Sequence, residues 1–171
     1  MTLTWIDTHV HWDATEFDAD RDLALERARA EGVVACLNPS VCVAGLDKVR
    51  ALADASTQHN AWPRVLPAYG IHPLYVDTVT ASDLATLDQY LSAHRPVAIG
   101  EIGLDAYTGA PDMAQQQAIF EAQLTLAAQH QLPVLLHVRH AVEAVIQSLK
   151  RVQGSKNILP GGIAHAFNGS E

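Results

Sequence analysis

The chain has little with which to hold a polyanion by charge alone: its 171 residues carry 11 Lys and Arg against 19 Asp and Glu, a formal net charge of -8. Broad electrostatic capture of nucleic acid, which relies on many Lys and Arg contacts to phosphate, is therefore excluded. A phosphate-containing substrate would need positive charge supplied locally, as bound metal can do. Only two cysteines occur, Cys36 and Cys42, and neither their number nor their spacing suits a disulfide framework or a zinc knuckle. No apolar run approaches the roughly 18 residues of a membrane span. No charged segment followed by an apolar one opens the chain as in a secretory leader, and Asp7 interrupts the start. The expected setting is the cytoplasm, with no membrane partner. Repeats, low-complexity tracts and linkers are also missing, so residues 1–171 read as one domain.

What is present is an alternation of short apolar runs with longer helical segments. Strands are expected near 4–9, 33–37, 65–69, 97–101, 133–137 and 162–166, and helices near 18–31, 42–58, 81–94, 112–131 and 140–152. Gly32 stops the first helix. Thr80 and Asp83 have capping-box spacing before the third, and Pro111 suits the first turn of the fourth. Phe120, Leu124 and Ala127 recur at helical spacing and can cover a sheet. Pro63, Pro96, Pro133 and Pro160 each sit just before a strand.

Strands alternating with helices make a parallel sheet, either open or closed as a barrel. The polar residues favour the barrel. His9 and His11 end the first strand, His72 follows the third, Glu101 ends the fourth, His137 the fifth and His165 the sixth. Every one lies at a carboxyl end, and a TIM-type (β/α) barrel makes such ends converge on one mouth. Eight strands normally take about 250 residues and rarely fewer than about 200. The fold expected is thus α/β, a barrel incomplete in this chain, with about six βα units of eight. A fragment or truncated product is suspected, and the free edges of the first and sixth strands invite self-association.

In "WIDTHVHWD", Asp7, His9 and His11 would share one face of a strand. A His-x-His spacing alone fits a buried, hydrogen-bonded pair as well as a metal site. Five imidazole or carboxylate groups at strand ends, His9, His11, Glu101, His137 and His165, favour metal, with Glu101 as the obvious bridge between two ions. His59, His94 and His130 fall at or just beyond helix C-termini and are read as structural. His72 either has a substrate or supporting role or belongs to a turn; the role of His140 stays open. Arg139, two residues past His137, can clamp a phosphate or form a surface ion pair. Asp7 and Asp105 are read as carboxylates that orient metal-bound histidines. Cys36 is expected to pack as a core residue, and Gly100 and Gly103 to let the backbone approach a ligand.

The segments "DTHVH", "GIHP", "GEIGLDAY", "HVRHA" and "GGIAHAFNGS" together resemble the TatD family of metal-dependent deoxyribonucleases, over Asp7 to Ser170. Ala166 and Asn168 stand where Cys and Ser are more usual in that family. The resemblance implies that His9 and His11 bind one metal, that Glu101 bridges, and that His137 and His165 bind the second. It implies a further aspartate in a Thr-Asp-x-Pro segment, which does not occur here. The function it implies is hydrolysis of DNA phosphodiester bonds by a water activated between two divalent ions, zinc, magnesium or manganese. Glu101, Arg139 and His72 would act in catalysis, with DNA or another phosphodiester as substrate. The alternatives are a metal-binding fragment without turnover, and a hydrolase of amide, ester or lactone bonds on the same site.

Overall fold

Six parallel strands form one sheet in sequence order, each connected to the next through a helix. The structure is a computed structural model and describes residues 3–107, 109–153 and 158–165. The order is β1 (Trp5–Asp7), α1 (Arg21–Ala30), β2 (Val33–Pro39), α2 (Leu46–Gln58), β3 (Arg64–Tyr69), α3 (Ala81–Ala93), β4 (Ala98–Asp105), α4 (Met113–His130), β5 (Val134–Arg139), α5 (Val142–Gln153) and β6 (Gly162–His165). Neighbours in sequence are neighbours in the sheet, which is the winding of a TIM-type barrel. Among the described residues β1 and β6 do not pair, so the barrel is incomplete. The expected sixth strand ran to residue 166, which with Asn168 and Ser170 lies outside the described residues.

The main core lies between the sheet and helices α2 to α5. Phe120, Leu124 and Ala127 of α4, at helical spacing, are all at most 1% exposed and pack with Ile99, Ile102 and Leu104 of β4. A smaller cluster under α1 and α2 joins Leu25, Leu52 and Val65 to Cys36, whose thiol is pushed up to about 11 by burial, as suits a core residue. No helix among the described residues is long and apolar enough to cross a membrane.

Gly32 follows α1 at φ 95°, a conformation that favours glycine. At the start of α3, Asp83 Oδ2 accepts from the Thr80 N–H at 2.8 Å and from its Oγ1 at 2.6 Å. Pro111 is not in the first turn of α4. Asp112 caps that helix instead, its Oδ1 accepting from Ala114 N and Gln115 N, and a carboxylate serves there because the first amides have no partner of their own.

Two strand ends differ from expectation, and both position the site. β1 stops at Asp7, so His9 and His11 follow the strand rather than end it. They flank Val10, whose N–H donates to Leu37 O at 3.0 Å and keeps the segment beside β2. β4 runs on to Asp105, with all eight residues buried, so Glu101 lies within the strand. Its register against β5 shifts there: Gly100 faces Leu135 and Ile102 faces Leu136, leaving Glu101 as the extra residue. An extra residue of this kind re-aims a side chain.

Candidate metal centre

Glu101 is 2% exposed, and its two oxygens are divided between two sets of histidines. Oε2 accepts from His9 Nε2 at 2.9 Å and lies 3.4 Å from His11 Nε2. Oε1 accepts from His137 Nδ1 at 2.8 Å and lies 3.7 Å from His72 Nε2. Burial alone would raise the carboxyl, but hydrogen bonds from His11, His137 and His9 outweigh it and hold the group well below the usual carboxylate range. The site is therefore an anion ringed by imidazoles. His9, His11 and Glu101 bring ligand atoms within 4.8 Å of one another, and so do His72, Glu101 and His137.

In His137 and His72 the hydrogen bond at the far side of the ring bears on what its near side can do. Asp105 is fully buried, and its Oδ2 accepts from His137 Nε2 at 3.0 Å. Both ring nitrogens thus face carboxylates, and although burial lowers the pKa of His137, the hydrogen bonds to Glu101 and Asp105 raise it overall; Asp105 orients the ring so that Nδ1 is the nitrogen a metal would meet. In His72 the order is reversed. Nδ1 accepts from the Leu74 N–H at 3.1 Å, so the proton of the neutral ring sits on Nε2, facing Glu101 and His137. Burial pushes this imidazole down to about 4, which keeps it neutral. His72 thus presents an N–H toward Glu101 and His137, with its only lone pair turned outward to Leu74. The Glu101 hydrogen bond and then burial, which opposes it, act on His11, and its pKa is raised.

His165 ends β6 as the register partner of His137, and its ring lies 3.6 Å from that of His9. It falls outside both three-residue groups but faces the same mouth, and burial lowers its pKa, which favours the neutral ring. Arg139 ends β5 with its side chain half-exposed, 3.8 Å from Asp105 Oδ2 and with Cζ 3.9 Å from the centre of the Tyr107 ring. His9, His11, His72, His137 and His165 are therefore gathered around Glu101, and Arg139 adjoins them through Asp105.

Other expectations need correction or gain detail. Among the described residues Asp7 bonds no imidazole ring; it is exposed, and its Oδ1 accepts from the His9 N–H at 3.0 Å, shaping the turn out of β1. Gly100 and Gly103 serve close approach between strands. A Cβ at Gly100 would lie 2.5 Å from Leu135 O, and one at Gly103 would overlap the His137 carbonyl. His59, His94 and His130 are structural: the first two pack on Trp62 and Tyr90, and His130 pairs with Asp88 at 2.6 Å. His140 lies beside Tyr107 at φ 53°.

Two positioning residues escape a reading by residue type. Gln123 donates to Ile71 O at 3.0 Å and accepts from Ile71 N at 2.8 Å, fixing the backbone beside His72. Gln116 does the same for Asp105, with 2.8 Å and 2.9 Å bonds to its N–H and carbonyl. Their signal is phase: 116, 120, 123 and 127 follow helical spacing, so both amides interrupt the apolar stripe of α4.

An incomplete TIM-type barrel with a buried carboxylate between imidazoles at its mouth defines a chain of the barrel-hydrolase class. The chain belongs to the TatD family: the family described as TatD related DNase matches residues 6–171. It is 36% identical over 165 residues to the uncharacterized metal-dependent hydrolase YabD of Bacillus subtilis, covering 96% of this chain and 61% of that one. It is 34% identical over 164 residues to the 3'-5' ssDNA/RNA exonuclease TatD of Erwinia tasmaniensis, covering 96% and 60%. The crystal structure of YjjV, a TatD homologue from Escherichia coli K12, superposes with a TM-score of 0.87 at 32% identity, covering 99% of this chain and 62% of that one. The chain thus spans about three fifths of the length of these relatives.

Proposed function

We propose that this chain carries the catalytic mouth of a hydrolase that cleaves phosphodiester bonds in DNA with two divalent ions. The observation that supports it most is the division of the two Glu101 oxygens between separate sets of imidazoles, at 2.9 Å and 2.8 Å for the closest member of each. His9, His11 and Glu101 would hold one ion, and Glu101, His137 and His165 the other. Zinc, magnesium or manganese in such a site lowers the pKa of water and offsets charge on phosphoryl oxygens.

The protein's own groups divide the remaining work. Asp105 orients His137 so that Nδ1 is the nitrogen a metal would meet. His72, neutral and with its proton on Nε2, donates a hydrogen bond to a substrate oxygen at the mouth. Arg139 stacks on Tyr107 through the face of its guanidinium, so its N–H edge is the part suited to a phosphate. The name of the Erwinia relative, a single-stranded DNA and RNA exonuclease, favours phosphodiesters over amides or carboxylic esters on the same residues.

Metal content per chain, measured by elemental analysis on untagged protein, and hydrolysis of a single-stranded DNA oligonucleotide test this together. Near two ions and chelator-sensitive cleavage are expected, with both lost in Glu101→Gln. Metal without cleavage of any phosphodiester would overturn the nuclease reading, and a Glu101→Gln variant that keeps both would overturn the site.

A further inference from the structure

A second cavity, away from the metal centre, gathers cationic side chains that the proposed hydrolysis does not use. Its volume is about 350 Å³, and it lies against β3, between α2 and the segment joining α3 to β4. Arg50, Arg64 and Arg95 line it, three of the 11 lysines and arginines of an acidic chain. One carboxylate, Asp54, lines it as well, and Arg50 Nη1 binds that group at 3.2 Å. The C-terminus of α3 adds a partial negative charge of about half a unit, so the lining remains positive.

The floor of the cavity carries an independent signal. Tyr69 lines it and is 1% exposed, with its ring edge-to-face on Tyr90 at 5.0 Å. The Tyr90 hydroxyl donates to Asp47 Oδ1 at 2.8 Å and accepts from Arg50 Nε at 3.0 Å. The Tyr69 hydroxyl has no hydrogen-bond partner among the described residues. Buried tyrosine hydroxyls normally have one. Burial, and then the neighbouring Tyr90, push this phenol upward, so at neutral pH it is an O–H donor. Arg64 and Arg95 are exposed, and their guanidiniums form no ion pair or hydrogen bond among the described residues.

We propose that this cavity binds a small phosphorylated molecule, with the Tyr69 O–H and the guanidiniums of Arg64 and Arg95 donating to the phosphate oxygens. A cationic lining with an unpartnered hydroxyl suits a phosphate, and the volume is in the range of small-molecule sites. Arg50 contributes no free donor, since its donors are directed to Tyr90, Asp54 and Asp47 and the two carboxylates offset its charge. None of the residues that line the cavity belongs to the metal centre. Occupation therefore does not compete with the metal centre.

Backbone amide shifts of the full chain, followed by NMR during titration with inorganic phosphate and then ribose 5-phosphate at constant ionic strength, locate the ligand. Saturable shifts at Val65, Tyr69 and Val97 are expected, absent in the Arg64→Ser/Arg95→Ser double variant. Tyr69→Phe, which removes one hydrogen bond, should weaken binding about fivefold. Equal affinity for the two probes supports a site for free phosphate, and tighter binding of ribose 5-phosphate a site for a phosphorylated organic molecule. Shifts confined to the surroundings of Glu101, or unchanged in the double variant, overturn the proposal.

Discussion

At Glu101 a single carboxylate faces four imidazoles, and the outer hydrogen bonds of His72 and His137 separate the roles of these two. Nδ1 of His72 is committed to the Leu74 N–H, so Nε2 keeps its proton, whereas Asp105 accepts from Nε2 of His137 and leaves Nδ1, now directed at Glu101, as the nitrogen that would give up its proton to a metal. Proximity alone would assign both to a metal, since both lie within ligand distance of Glu101. The outer hydrogen bonds do not. The two histidines nearest to His137, His72 by contact and His165 by strand register, should therefore fail differently when replaced. His165→Ala should lower the metal content from about two ions per chain to about one. His72→Asn should leave the metal content intact and lower turnover by about 10²-fold or more, the scale of a lost proton donor. Elemental analysis beside single-turnover kinetics distinguishes them, and loss of an ion in His72→Asn with none lost in His165→Ala would reverse the two assignments.

Between elements, alternation and period were legible and boundaries were legible only where turn chemistry marks them. Thr80 and Asp83 mark the start of α3 because their hydrogen bonds are local. β4 was misjudged because a charged residue reads as a strand end, while Glu101 and Asp105 are buried within it, their charge met by histidines remote in sequence. The imidazole and carboxylate types were legible, but their places were not: His9 and His11 follow β1 and Glu101 lies within β4. Gln116 and Gln123 were not legible, because an amide on a helix announces nothing until its partners are in place. The glycines of "GEIGLD" were visible, but their purpose requires β5 alongside. Gly103 sits at φ 145° against the His137 carbonyl, so Gly103→Ala must push β5 away or distort β4. The expected cost is about 3 kcal/mol or more, from overpacking and backbone strain together. Gly45→Ala, where an added Cβ meets nothing within 4 Å, should stay within about 0.5 kcal/mol. Equal urea midpoints for the two variants would contradict the role given to Gly103.

The whole molecule is dominated by the open sheet. Among the described residues β1 pairs only with β2 and β6 only with β5, so each presents one unpaired ladder. The flanks are apolar: Trp5 is 57% exposed, Ile6 62% and Ile163 40%. The relatives that this chain matches are longer, and additional βα units would cover both edges in a closed barrel. In a polypeptide of these 171 residues the edges can be covered by another copy. A free β1 edge and a free β6 edge are different surfaces, so their pairing is head-to-tail, and such contacts make rings when they close and chains when they do not. Sedimentation velocity should therefore show mass rising with concentration across the micromolar range. The Ile6→Lys/Ile163→Lys variant should sediment as a monomer with an unchanged circular dichroism spectrum, because a charge at an exposed edge opposes pairing while the core is untouched. A wild-type chain that is monomeric at every concentration would mean that the two edges are already satisfied within one copy.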